Sequence, residues 1–119
     1  MVWIHGGGFF TGGTSDPLYD GTFFAERGDV VLVTIQYRLG ALGWLYLDEL
    51  GGKEFQYSKN NGLLDQVAAL KWVKNNIENF GGNPDNITIF GESVGGTSVS
   101  TLMVTPAAKG LFNKVIAES

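Results

Sequence analysis

Apolar residues in this chain follow two different spacings. Val2-Trp3-Ile4, Val30-Val31-Leu32-Val33-Thr34-Ile35, Ile87-Thr88-Ile89-Phe90 and Lys114-Val115-Ile116-Ala117 are short runs with almost no polar face. Runs of that length, rich in β-branched residues, predict strands covered on both sides. Elsewhere Leu63, Val67, Leu70, Val73, Ile77 and Phe80 recur at intervals of three and four. Lys71, Lys74, Asn75 and Glu78 take the opposite side, so the spacing predicts one amphipathic helix from near Asn61 to about Asn79. Asn61 is its expected N-cap, Asp65 suits the first turn, and Gly81-Gly82 stops it.

Weaker signals complete the pass. Asp20–Arg27 predicts a short helix ended by Gly28, and Val94 to about Thr105 predicts another ended by Pro106. Thr11 to Tyr19 is rich in Gly, Ser, Thr and Pro and reads as loop, and Asn83-Pro84-Asp85 reads as a turn. Leu39 to Lys59 reads mostly as loop with an apolar patch from Ala41 to Leu47. Strands alternating with helices imply an α/β fold. The expected architecture is a mostly parallel sheet of about four strands with flanking helices and right-handed crossovers.

Composition narrows the function. With 119 residues and 44% hydrophobic content the chain is at most one globular domain. Its net charge of −4, with no cluster of Lys or Arg, argues against a nucleic-acid or anionic-membrane partner. No apolar stretch is long enough to cross a bilayer. There is no cysteine, so no disulfide framework forms and the redox compartment cannot be read. The first strand is expected from Val2, which leaves no visible signal peptide.

Gly91-Glu92-Ser93-Val94-Gly95 carries the candidate chemistry. A strand feeding directly into a helix must turn sharply, and a serine at the apex holds a strained, exposed conformation. Glycines on either side leave room for that turn. The Val94 amide then lies at the positive end of the following helix. His5-Gly6-Gly7-Gly8-Phe9 follows the first strand, and its glycines let backbone amides approach a ligand. An acyl-transfer nucleophile needs amide donors aimed at its oxyanion, and these two motifs in this order supply both parts. Ser93 is therefore the candidate nucleophile, with Gly7, Gly8 and Val94 as oxyanion donors. The bland readings are an N-cap serine and a flexible glycine loop.

Trp3-Ile4-His5-Gly6-Gly7-Gly8-Phe9, Gln36-Tyr37-Arg38-Leu39-Gly40, Gly62-Leu63-Leu64-Asp65-Gln66 and Phe90-Gly91-Glu92-Ser93-Val94-Gly95-Gly96 together resemble the type-B carboxylesterases. That family includes cholinesterases and neuroligin-like relatives on the α/β-hydrolase fold. The resemblance implies a partial α/β-hydrolase fold and a serine carboxylesterase parent acting on a small-molecule carboxylic ester, with no metal or organic cofactor. It makes residues 1–119 a fragment of a single, longer hydrolase domain. Val94 departs from the alanine usual there. Glu92 is either a carboxylate at a helix N-terminus or an acidic pocket wall, and Phe9, Phe10 and Tyr19 are expected to line the approach to Ser93. Trp44 is read as core. Many members are secreted.

His5 is the only histidine, yet in this fold the base follows the serine along the chain, so its expected role is to order the glycine loop. Only 26 residues (119 − 93) follow Ser93 and none is histidine, so the triad base and acid are expected outside this chain. A neuroligin-like binding module and an inactive truncated product are the rival readings. Arg38 and Asp65 are expected to pair, tying the loop after the second strand to the long helix. Asn86-Ile87-Thr88 matches a glycosylation sequon whose overlap with a strand argues against its use.

Overall fold

The computed structural model describes all 119 residues. The strands are β1 (Val2–Ile4), β2 (Val33–Ile35), β3 (Thr88–Glu92) and β4 (Lys114–Glu118). The helices are α1 (Thr22–Gly28), α2 (Gly40–Trp44), α3 (Asp48–Gly51), α4 (Asn61–Asn76) and α5 (Val94–Val104). The strands form one parallel sheet in the order β2-β1-β3-β4. The expected four-stranded α/β architecture is therefore present.

Register decides which side chains meet. Val2 and Ile4 stand opposite Val33 and Ile35 on one side, and opposite Ile89 and Gly91 on the other. Alternate residues of a strand share a face, so Val2, Ile4, Ile35 and Ile89 point together into the core. There they meet Val67, Leu70, Val73 and Ile77 from the long helical segment, and Val99 and Leu102 of α5. The other face carries Trp3 and Phe90, whose rings lie 4.9 Å apart. Tyr19 packs on Trp3 at 5.1 Å and Phe24 of α1 approaches Phe90 at 6.4 Å. The sheet is thus covered by α4 and α5 on one side and only partly on the other. No helix is long and apolar enough to cross a membrane.

Several local expectations change. The second strand is confined to Val33–Ile35, because β1 offers only a three-residue partner. Leu39 to Lys59 is not mostly loop: it contains α2, α3 and two 3₁₀ turns, Gly52–Phe55 and Ser58–Asn60. The N-cap position of α4 is Asn60 rather than Asn61, whose side chain instead donates to the Leu42 carbonyl. After Asn76 the helix tightens into a 3₁₀ turn, Ile77–Phe80, closed by Gly81 in the left-handed conformation. That tightening rotates Phe80 off the apolar stripe. It is 61% exposed and rests on Trp72, 6.0 Å away between ring centroids.

Leu70→Ala, at a position fully enclosed between sheet and helices, is expected to lower unfolding free energy by about 2–5 kcal/mol. Phe80→Ala should stay within about 0.5 kcal/mol, as at an ordinary surface site. Urea-denaturation midpoints compare the two.

Candidate active site

All four strands run the same way, so the residues after Ile4, Ile35, Glu92 and Glu118 emerge at one edge of the sheet. From β1 the chain goes to β2 on one side. From β3 it goes to β4 on the other. Loops that diverge from neighbouring parallel strands leave a crevice at their carboxyl ends, the usual place for a ligand in an open α/β sheet. The His5–Phe9 loop and the Glu92–Val94 turn border that crevice.

Ser93 sits between β3 and α5 with φ 58° and ψ −125°, a backbone region that a non-glycine residue seldom occupies. Its amide donates to the Glu118 carbonyl at 3.1 Å, and its carbonyl accepts from the Thr97 amide at 3.0 Å. The side chain makes no capping hydrogen bond and is exposed. This sets aside the plain N-cap reading, since a capping serine spends its oxygen on the second or third amide of its helix. Val94 is the first residue of α5, so its amide lies ahead of the helix's own hydrogen-bond ladder.

Glycine permits the turn for a steric reason. A Cβ on Gly95 would lie 2.1 Å from the Ile4 carbonyl oxygen, and one on Gly91 would lie 2.5 Å from the same atom. A Cβ on Gly96 would lie 2.4 Å from the Glu118 carbonyl oxygen. The start of α5 therefore presses directly on the backbones of β1 and β4. Gln66 of α4 steadies it from beneath, donating through Nε2 to Ser98 Oγ at 3.0 Å in a buried pair.

The glycine loop meets this turn. A Cβ on Gly6 would stand 3.2 Å from the Ser93 Cβ and 3.0 Å from the Glu92 carbonyl oxygen. Gly7 and Gly8 have φ of 105° and 65°, are exposed, and their amides donate to no protein acceptor. His5 is fully buried. Its Nδ1 lies 2.7 Å from the Gly6 carbonyl, and its ring stacks on Tyr37 at 4.5 Å. It is engaged in holding the loop, as its place before the serine implies.

The remaining candidates separate. Phe9, with φ 63°, is half-buried against Trp44 at 4.3 Å between ring centroids. Trp44 packs against the core, and Phe10 is 77% exposed. Glu92 is exposed beside Gly6. Ser93 lines an open depression of about 620 Å³ with Thr97, Ser100 and Glu118. Tyr19 lines a different cavity of about 260 Å³, beside Trp3, Phe24 and Phe90. Val94 lines the Ser93 depression, whereas Gly7, Gly8, Phe9, Glu92 and Tyr19 do not. The Glu118 carbonyl, anchor of the Ser93 amide, carries no signature in the sequence. Gln36, Tyr37 and Gln66 also bond to or beside the site, and none of the three stands out as a site residue by type alone. Polar residues set within apolar runs were the available signal.

Arg38 and Asp65 pair as expected. Arg38 Nε and an Nη donate to the two carboxylate oxygens at 2.7 and 2.8 Å, and the Arg38 amide adds a third bond at 2.9 Å. The pair is half-exposed and ties the segment after β2 to α4.

The model of the carboxylesterase family matches residues 1–119. The chain belongs to the carboxylesterase family. A para-nitrobenzyl esterase of Bacillus subtilis (strain 168) is 58% identical over 119 residues, covering 100% of this chain and 24% of that protein. A cocaine esterase of Homo sapiens is 56% identical over 119 residues, covering 100% of this chain and 20% of that protein. Among solved structures, a Geobacillus stearothermophilus carboxylesterase at pH 6.2 superposes with a TM-score of 0.94 at 56% identity, covering 96% of this chain and 24% of that one. The chain spans about a fifth to a quarter of the length of these carboxylesterases.

Two outcomes follow from this geometry. Gly95→Ala should force β1 and α5 apart and cost about 3 kcal/mol, the upper part of the range for overpacking, measurable as a lowered urea midpoint. The Arg38 hydrogen bonds hold the Asp65 carboxyl below its ordinary range. A depressed folded-state value stabilises above the unfolded carboxyl's pKa of about 3.9 and is lost as pH falls through the folded value. Asp65→Asn should therefore lower the melting temperature at neutral pH, and the gap from the unaltered chain should close on acidification through that window.

Proposed function

We propose that residues 1–119 are the segment of a serine carboxylesterase domain that carries the nucleophile and the oxyanion hole. Ser93 Oγ attacks the carbonyl carbon of a carboxylic ester. The resulting oxyanion is held by the amides of Gly7, Gly8 and Val94, the carbon–oxygen bond to the alcohol breaks, and the alcohol leaves with a proton. Water then attacks the acyl-serine, releasing the acid and restoring Ser93. Oriented donors of this kind act where charge develops, which is why they favour the transition state over the bound substrate.

The observation that carries this reading is the approach of the glycine loop to Ser93: a Cβ on Gly6 would stand 3.2 Å from the Ser93 Cβ, tighter than an ordinary contact. The strained φ of 58° at Ser93 supports it too, since strain of that kind persists where a function uses it. A binding module would have no need of an uncapped, exposed serine held in a strained turn.

Ser93 requires a base to take its proton. His5 does not serve, being buried under the loop with Nδ1 committed to Gly6. The base is a histidine, oriented by an acid, contributed by the esterase beyond these residues. Glu92, beside the turn, adds negative charge that favours a cationic imidazole or a cationic substrate group. Phe9 forms apolar wall on the glycine-loop side.

The 58% identity to the Bacillus subtilis para-nitrobenzyl esterase over the full 119 residues permits a direct test. These residues replace the aligned segment of that enzyme, which supplies base and acid. The graft is expected to hydrolyse para-nitrobenzyl esters and to take up a fluorophosphonate probe. Ser93→Ala should abolish labelling and lower kcat on the order of a million-fold. A folded Ser93→Ala graft that still turns over ester would overturn the proposal.

A further inference from the structure

We infer that Tyr37 and Gln36, at the exit from β2, are the positioning residues of the oxyanion loop and act through His5. The inference rests on the proposed role of Gly7 and Gly8 as oxyanion donors. Neither glycine has a side chain, both are exposed, and both have positive φ. The Gly7 carbonyl accepts from the Phe10 and Thr11 amides, which fixes the Gly7–Gly8 peptide and with it the Gly8 amide. The Gly7 amide lies in one peptide plane with the Gly6 carbonyl, so its aim is set by the group that holds that carbonyl, His5.

Tyr37 touches His5 and Phe9, on either side of the glycines. It is buried, with 3% of its surface exposed, and its hydroxyl donates to the His5 carbonyl at 2.8 Å. Its ring stacks on the His5 imidazole at 4.5 Å and meets the Phe9 ring edge-on at 6.5 Å. One rigid side chain thus spans the start and the end of the glycine run. Burial, with Tyr19 as a lesser cause, pushes the Tyr37 hydroxyl up to about 12. It therefore remains a donor throughout the working pH range.

Gln36 holds the other side of His5. Its Nε2 lies 3.3 Å from His5 Nε2, and its Oε1 accepts from the Thr14 amide at 3.1 Å. The tautomer follows from the partners. The Gly6 carbonyl can only accept, so the Nδ1 facing it at 2.7 Å carries the proton. Nε2 then presents a lone pair, and an amide N–H is the group that meets it. With the opposite tautomer, Nδ1 would turn a lone pair toward the Gly6 oxygen and push the loop away. The Gln36 amide selects the form that pulls Gly6 inward, and its bond to Thr14 closes the far end of the same loop. Tyr37 supplies rigidity and Gln36 supplies the choice of tautomer.

The test uses the grafted esterase described above. Kinetic constants are taken per fluorophosphonate-reactive serine, so that a misfolded fraction does not count. Tyr37→Phe removes only the hydroxyl. Gln36→Leu removes the amide at an exposed position, and it keeps the test decisive if Tyr37→Phe does not fold. Each is expected to lower kcat on the order of 100-fold, as for a misplacement of about 1 Å. KM should stay unchanged, and affinity for a trifluoromethyl ketone analogue should fall in step with kcat. A merely structural role would lower the melting temperature and leave kcat per reactive serine alone. In ¹⁵N spectra, with the His5 signals identified by their loss in His5→Asn, the unaltered graft should show the Nδ1–H form. Gln36→Glu, which offers Nε2 only an acceptor, should add a proton at Nε2. Unchanged kcat in both Tyr37→Phe and Gln36→Leu, or an Nε2–H tautomer in the unaltered graft, overturns the inference while Ser93→Ala still abolishes turnover. Turnover that survives Ser93→Ala instead removes the reading on which the inference stands.

Discussion

The contact between the β1 backbone and the first turn of α5 is the constraint on which the rest of the site depends. The Ile4 carbonyl oxygen lies so close to Gly91 and Gly95 that no side chain fits at either place. Strand pairing sets the end of β1 beside the end of β3, and this closeness lets the start of α5 settle on both. The loop that continues from Ile4 must then begin within contact distance of Ser93, as Gly6 does. A larger residue at position 95 would widen the gap between two backbones, and the glycine loop and the Ser93 turn would move apart with them. Packed interiors transmit such displacements because they contain little free volume to absorb them.

A second set of contacts fixes the same edge from the outside. Arg38, immediately after Tyr37, grips Asp65 on α4 through three donors. Gly40 donates its amide to the Phe9 carbonyl at 2.7 Å. The segment from Gln36 to Gly40 is thus bonded to the glycine loop at one level and to the long helix at another. Gln66 on that helix is bonded in turn to Ser98 on α5. The loop, the segment after β2, α4 and α5 form a closed ring of contacts around the core. Bidentate geometry makes the Arg38–Asp65 link directional, while its half-exposure keeps its energy modest. Its contribution is chiefly one of register.

Sequence pattern revealed those parts of the fold whose burial matches a local rule. The parallel strands were legible because Val2, Ile4, Ile35 and Ile89 sit in apolar runs, and α4 was legible because Val67, Leu70 and Val73 repeat at helical spacing. Ser93 and the glycine loop were legible because each motif implies its own backbone geometry. The failures share a cause, which is tertiary packing overriding local preference. Helix α2 has glycine at two of its five positions, Gly40 and Gly43, and a weak intrinsic tendency to form. It exists because Trp44 at its end packs over Gly62, where a Cβ would come within 2.5 Å of the indole. No periodicity in Leu39–Lys59 announces that contact. Phe80 kept the helical spacing in sequence, but the change to a 3₁₀ turn altered the angle per residue and carried it outward. The placement of Tyr19 beside Trp3 depends on the path of a glycine-rich loop, for which a sequence offers no register.

Strain is distributed unevenly over this chain, and its location follows from the same contacts. Three non-glycine residues have positive φ: Phe9, Asp29 and Ser93. Asp29 is the C-cap of α1, a place where the left-handed conformation is common. Phe9 and Ser93 stand on the two sides of the crevice. Each is over-determined by its neighbours, Phe9 by Gly40 and Trp44, Ser93 by Glu118 and Thr97. A conformation costing about 1–3 kcal/mol persists only when surroundings of this kind enforce it. The enforcement comes from β2's exit on one side and from β4 on the other, so the two outer strands of the sheet hold the ends of the two inner ones. The backbones on both sides of the crevice are consequently set in place by the fold itself.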